Sequence, residues 1–114
     1  MKTLDIVETI YFGLLERKAE DITILDMSKV SSVADYFVLA HTNSERGVRA
    51  LADSILKELK DELSIRIRVE GLSDGDWIVL DLGDILIHIF HKKTRAYFQL
   101  ESLWEDASII HIGE

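Results

Sequence analysis

Apolar residues recur along this chain with two different periods, and the switches between them mark out the elements. Leu4, Val7, Ile10, Tyr11, Leu14 and Leu15 return every three or four positions, which predicts a helix over 3–19 with Thr3 as its N-cap. Ile22-Thr23-Ile24-Leu25-Asp26-Met27 is short and β-rich and predicts a strand, followed by an irregular connection through Ser28-Lys29 and Ser31-Ser32. The run 35–40 is a second strand, apolar on both faces and therefore internal to its sheet. After Asn43-Ser44, the stripe Val48, Leu51, Ala52, Ile55, Leu56 and Leu59 defines an amphipathic helix. Its opposite face, Glu45, Arg49, Asp53, Lys57 and Asp61, alternates in sign at four-residue spacing, as a solvated face does.

Residues 65–70 alternate apolar and polar, so they form a strand with one buried and one wet face. A Gly-rich loop over 71–76 leads into a hairpin, 77–82 and 85–91, around Leu82-Gly83-Asp84. Thr94 is placed to cap a last helix carrying Ala96, Tyr97, Leu100 and Trp104. The order α-β-β-α-β-β-β-α implies an α/β or α+β layer domain, a mixed sheet of about five strands with helices packed on it.

The two faces of the hairpin separate by alternation alone, and either two-residue turn, Leu82-Gly83 or Gly83-Asp84, gives the same division. Ile78, Leu80, Ile85, Ile87 and Ile89 make one face, plain core. Trp77, Val79, Asp81, Leu86, His88 and Phe90 make the other, whose mixture of aromatics, a histidine and an acid is typical of interface centres. Under the Leu82-Gly83 turn, Trp77 would face His88 and Asp81 would face Asp84. Two facing carboxylates repel unless a cation or a basic partner lies between them.

Composition then narrows the classes of function. The 114 residues are enough for one domain spanning 1–114. Twenty-one acidic against 13 basic residues leave a formal charge of −8. Nine acids against three bases lie between Glu70 and Glu114, so the deficit is concentrated in the C-terminal part. Such a chain repels phosphate backbones, which argues against direct DNA or RNA binding and favours a basic protein surface as partner. The absence of cysteine excludes disulfides, thiolate zinc sites and a catalytic thiol. No apolar run is long enough to span a membrane. Met1-Lys2-Thr3-Leu4-Asp5 meets charge too early for a secretory signal or an Arg-rich transit peptide, so a cytoplasmic location is expected.

Two chemical readings of the hairpin compete. Asp74, Asp76, Asp81 and Asp84 could gather a divalent cation, as a nucleotidyl transferase does for a triphosphate. Against this, Asp74 and Asp76 are ordinary loop residues, and there is neither a G-x-x-x-x-G-K-[ST] loop nor a strand-borne D-x-D after Gly-Ser. His41, His88, His91 and His111 have no metal-ligand spacing, and no serine has a nucleophile-elbow context, so no metal, cofactor or catalytic set is expected. In the second reading Trp77 is an aromatic anchor rimmed by acids, the composition of a binding hot spot. The plain alternative is that Trp77 and His88 simply pack beneath a helix.

Asp35-Tyr36-Phe37-Val38, then Asn43-Ser44-x-Arg46 opening a helix with Ala50-Leu51-Ala52-Asp53, resemble the Iojap/ribosomal silencing factor family. So do Glu70-Gly71, the run from Asp76 to Phe90, and the closing Arg95-x-Tyr97-x-x-Leu100-Glu101-x-Leu103-Trp104. The resemblance covers roughly residues 4–107, and the hairpin block is its most specific part. It implies a nucleotidyltransferase-like fold without the transferases' catalytic carboxylate pair, and hence a factor that is not an enzyme. It further implies binding to the large ribosomal subunit through ribosomal protein L14, steric blocking of subunit joining when nutrients run short, and a homodimer when free. Organellar relatives imply large-subunit assembly as an alternative role, with a nucleotide-binding enzyme a more distant one. The expected contacts are Trp77 inserted against the partner and flanked by Leu86, Asp81 and Asp84 meeting its Lys or Arg side chains, and His88 and Tyr97 adding polar contacts.

Overall fold

The computed structural model describes residues 2–30, 32–71, 75–98 and 107–112, with backbone only for 96–98. Among the described residues three helices and six strands follow in the order α1 (Thr3–Glu16), β1 (Glu20–Asp26), β2 (Tyr36–Thr42), α2 (Glu45–Leu63), β3 (Arg68–Glu70), β4 (Trp77–Asp81), β5 (Ile85–His91), α3 (Lys92–Phe98) and β6 (Ser108–Ile110). The strands form one mixed sheet in the order β3-β4-β5-β2-β1-β6. Its central pair, β2 and β5, is parallel, and every other neighbour is antiparallel. A parallel pair needs a long crossover, which α2 and the β3–β4 hairpin supply.

The helix boundaries follow from their caps. Thr3 is the first helical residue of α1 rather than its cap; Lys2 takes that position, and its N–H donates to the Asp5 carboxylate at 3.3 Å. The helix ends at Glu16 rather than at 19, because Lys18 adopts a left-handed φ of 60° that helical hydrogen bonding cannot follow. Ser44 caps α2, its Oγ accepting the Gly47 N–H at 2.9 Å, and Ser64 closes it in the left-handed conformation.

Burial assigns the two sheet faces. Ile24, Val38, Ala40, Ile78, Leu80, Ile85, Ile87 and Ile89 point to the side covered by α1 and α2, where they meet Val7, Ile10, Leu14, Val48, Ile55 and Leu59. This is the main core, and it contains the aliphatic hairpin face intact. Leu25, Met27, Phe37, Leu39 and Phe90 pack on the opposite side, with Trp77, Leu86 and Ala107 partly buried against them. β2 is buried on both sides from Phe37 to His41, as expected of a strand at the centre of the sheet.

Three elements differ from the sequence expectation. Only Arg68–Glu70 of the run 65–70 hydrogen-bonds as a strand, although half-buried and exposed residues alternate back to Ile65. The last helix begins directly after β5 at Lys92, so Thr94 lies inside it rather than capping it. Leu100 and Trp104 fall outside the described residues. A sixth strand, Ser108–Ile110, adds an edge beside β1. Its Ile109-Ile110 pair carried β propensity, but three residues give no period to read.

Candidate partner-binding face

The site is set by the register of the β4–β5 hairpin. Leu82 N–H donates to the Ile85 carbonyl at 2.9 Å, so the two-residue turn is Gly83-Asp84. Gly83 takes a φ of +94°, and a positive φ at the first central position alone is the pattern of a type II′ turn. Only glycine adopts this without strain. The turn shifts the pairing relative to the alternative one. Trp77 lies across from Phe90, Val79 from His88 and Asp81 from Leu86. The direct Trp77/His88 and Asp81/Asp84 pairs expected under a Leu82-Gly83 turn therefore do not form. The division into faces is unchanged, because both turns preserve the parity of the strand.

Neighbouring strands extend this face into a grid. Phe37 and Leu39 of β2 lie beside Leu86 and His88, and His41 lies beside Phe90. On the other side, Glu70 and Arg68 of β3 lie across from Val79 and Asp81. Burial falls from the centre of the sheet towards β3. Phe90, Leu39 and Phe37 are buried; Trp77, Val79, Asp81 and Leu86 are half-buried; Arg68 and Glu70 are exposed. The accessible part is thus a strip of half-buried Trp77, two aliphatics and Asp81, bordered by Arg68 and Glu70 on a short edge strand.

Beneath that strip is an aromatic cluster. The Trp77 ring stacks at a tilt on Phe90, with centroids 5.2 Å apart, and His88 lies 4.8 Å from Phe37 and 6.0 Å from Phe90. Trp77 Nε1 donates to His88 Nδ1 at 3.1 Å, a diagonal contact between strands. His88 is only 6% exposed, and burial pushes its pKa down from 6.5 to about 4. The imidazole is therefore neutral near pH 7, with Nδ1 as the acceptor and the proton on Nε2. Sequence reasoning placed His88 at the surface as a polar contact. The structure corrects this: the face is right, but the ring is enclosed and its acceptor is taken by the indole.

The two acids also have different surroundings. Asp81 Oδ1 accepts the Gly83 N–H at 2.8 Å, so this carboxylate folds back onto its own turn. Asp84 is exposed at the hairpin tip, and its carbonyl accepts the N–H groups of Asp35 and Tyr36 at 2.8 and 3.1 Å. These bonds fasten the tip to the start of β2. Among the described residues no three His, Asp or Glu side chains converge as metal ligands, and Asp74 lies outside them. The side chain of Tyr97 also lies outside them. A cleft of about 700 Å³ opens elsewhere, lined by Arg17, Lys18, Thr42, Asn43, Gly47 and Ser54 among others; none of the predicted site residues lines it.

One polar cluster had no signal in the sequence. Arg95 of α3 is buried; it donates to the Asp21 carbonyl at 2.7 Å and Thr23 Oγ1 at 3.1 Å, and lies 3.1 Å from His41 Nδ1. Burial and the neighbouring guanidinium both lower the pKa of His41. The cluster anchors α3 across the end of β2 to the irregular start of β1, where Asp21 has a positive φ of 47°. His41 and Arg95 are 54 positions apart, beyond any local periodicity.

A mixed sheet with two helices on one face and a half-open strip of aromatic and charged residues on the other defines a small α+β domain. The whole chain, residues 1–114, matches the family model described as "Ribosomal silencing factor during starvation". It is 45% identical over 95 residues to a Bacillus subtilis ribosomal silencing factor, covering 82% of this chain and 80% of that protein. It is 30% identical over 94 residues to a Mus musculus protein named for mitochondrial assembly of the ribosomal large subunit, covering 80% of this chain and 41% of that one. A crystal structure of a Chromobacterium violaceum protein superposes with a TM-score of 0.87 at 33% identity, covering 92% of this chain and 88% of that one. The chain belongs to the ribosomal silencing factor family, a family of regulators rather than enzymes.

Proposed function

We propose that this chain represses translation by binding the large ribosomal subunit through ribosomal protein L14, with the hairpin face as its contact, and thereby blocks joining of the small subunit. The observation that carries this reading is the half-buried Trp77, stacked on Phe90 and hydrogen-bonded to His88, on the sheet face that α1 and α2 leave uncovered. Binding energy concentrates in such rigid aromatic anchors. The net charge of −8 suits a basic ribosomal protein, and opposite charge speeds encounter. Leu86, across from Asp81 near the other end of the hairpin, adds a second apolar contact on the same face, Asp84 at the tip meets Lys or Arg, and Asp81 contributes beyond its bond to Gly83. Tyr97, on the helix that follows β5, adds a polar contact. No nucleotide and no metal enters this mechanism; bulk on the subunit face is sufficient.

The free protein pairs with a second copy and works in the cytoplasm. Among the described residues no helix is long and apolar enough to cross a membrane. The name of the mouse relative favours a second reading, a factor in large-subunit assembly. Both readings require the same docking event.

Co-sedimentation with purified large subunits tests that event. Truncating a central aromatic anchor costs about 2–4 kcal/mol, so Trp77→Ala should bind roughly 30- to 1000-fold more weakly. A folded Trp77→Ala protein that sediments with the subunit as the parent does would remove the hairpin face from the mechanism.

A further inference from the structure

We propose that His88 is a positioning residue for Trp77, holding the indole in its docking orientation although the imidazole itself is a liability to the fold. The inference rests on the docking reading of Trp77 given above. Its basis is an imbalance in the hydrogen bonding of the ring. Nδ1 accepts the indole N–H at 3.1 Å, which places the imidazole proton on Nε2. Nε2 is buried and finds no hydrogen-bond partner among the described residues. A buried donor without a partner loses its hydration and gains nothing in return. Phe37, Phe90 and Trp77 lie against the ring, and Val79 and Leu39 are its cross-strand neighbours, so an apolar side chain of similar size would fit the site without that loss.

The imidazole does, however, supply an acceptor at one defined place. Trp77 is half-buried in the first position of β4 and lies directly across from Phe90. Stacking on Phe90 fixes the plane of the indole, but a stacked ring can still turn over within that plane. A hydrogen bond from Nε1 to a ring that is itself enclosed selects one orientation. Ordering a large side chain on binding costs affinity, and a ring already held in its bound orientation avoids that cost. His88 acts through Trp77 and contributes no contact of its own to the partner.

The test compares His88→Leu, which removes both ring nitrogens, with His88→Asn, whose amide oxygen can occupy the Nδ1 position. Each is measured by thermal unfolding, by the indole N–H resonance of Trp77 in the free protein, and by affinity for purified large subunits. At pH 7 His88→Leu should unfold at the parent's temperature or higher. Its Trp77 indole resonance should move, and its affinity should fall about tenfold, the equilibrium equivalent of one hydrogen bond. His88→Asn should recover both the resonance and the affinity. If His88→Leu binds as the parent does while Trp77→Ala does not, the positioning role is wrong and the docking reading stands. If Trp77→Ala also binds normally, the docking reading falls and takes this inference with it. If His88→Asn is no better than His88→Leu, ring shape rather than the acceptor is what matters, and the inference is overturned. Should His88→Leu not fold, His88→Asn compared with His88→Gln, whose amide reaches the Nε2 position instead, decides in the same way.

Discussion

Acidification should destabilise this protein over a window set by His88. Burial lowers the pKa of its imidazole from 6.5 to about 4. An unfolded chain takes up the proton as the pH falls through 6.5, while the folded chain does not until about 4. Stability from this group is therefore complete above pH 6.5, declines between 6.5 and about 4, and changes no further below that. The size of the depression corresponds to about 3 kcal/mol. That is a large part of the 5–15 kcal/mol typical of a domain. His41 is shifted in the same direction, so its effect adds to the decline. Urea unfolding at half-unit intervals from pH 7.5 to 4 measures the total, and the difference between the parent and His88→Leu isolates His88. The two curves should run parallel above pH 6.5, with the variant level with or above the parent, and separate further as the pH falls towards 4, with the variant the more stable. Parallel curves across the whole range would refute the enclosed, neutral imidazole.

Further perturbations probe the supports of the site. Gly71 has a φ of +83°, and a Cβ there would collide with the Trp77 carbonyl oxygen. Gly71→Ala should therefore cost about 3 kcal/mol in chemical denaturation and displace the start of β4. Asp84 is exposed and its side chain supports no described bond, so Asp84→Asn should leave unfolding within about 0.5 kcal/mol of the parent. Its association with the large subunit should slow and depend less steeply on salt, a change that stopped-flow binding at two ionic strengths detects.

The sequence made most of the fold legible because its core obeys simple periods. The stripe from Val48 to Leu59 and the aliphatic alternation from Ile78 to Ile89 led directly to the main core. The two-sided apolarity of Phe37 to Ala40 identified the central strand. Face assignment on the hairpin survived an undetermined turn because parity is common to both two-residue solutions. Register did not survive it: choosing Gly83-Asp84 depends on backbone conformation at Gly83, which alternation does not encode. For that reason Asp81 and Asp84 were legible as neighbours of the site but not as separate environments, one bonded to its own turn and one exposed. His88 was placed on the correct face, while its enclosure depends on Phe37 and Leu39 from a strand some 50 positions earlier in the chain. Arg95 and His41 meet for the same long-range reason, and a buried guanidinium is not what a charged residue in a helix suggests from composition.

Subunit joining itself is the decisive observable. Large subunits saturated with this protein are mixed with small subunits under associating conditions, and ribosome formation is followed by light scattering. The account predicts that the joined population falls as the protein is titrated in, with the parent effective at concentrations where Trp77→Ala is not. Joining to full amplitude on large subunits that demonstrably carry the protein would contradict it.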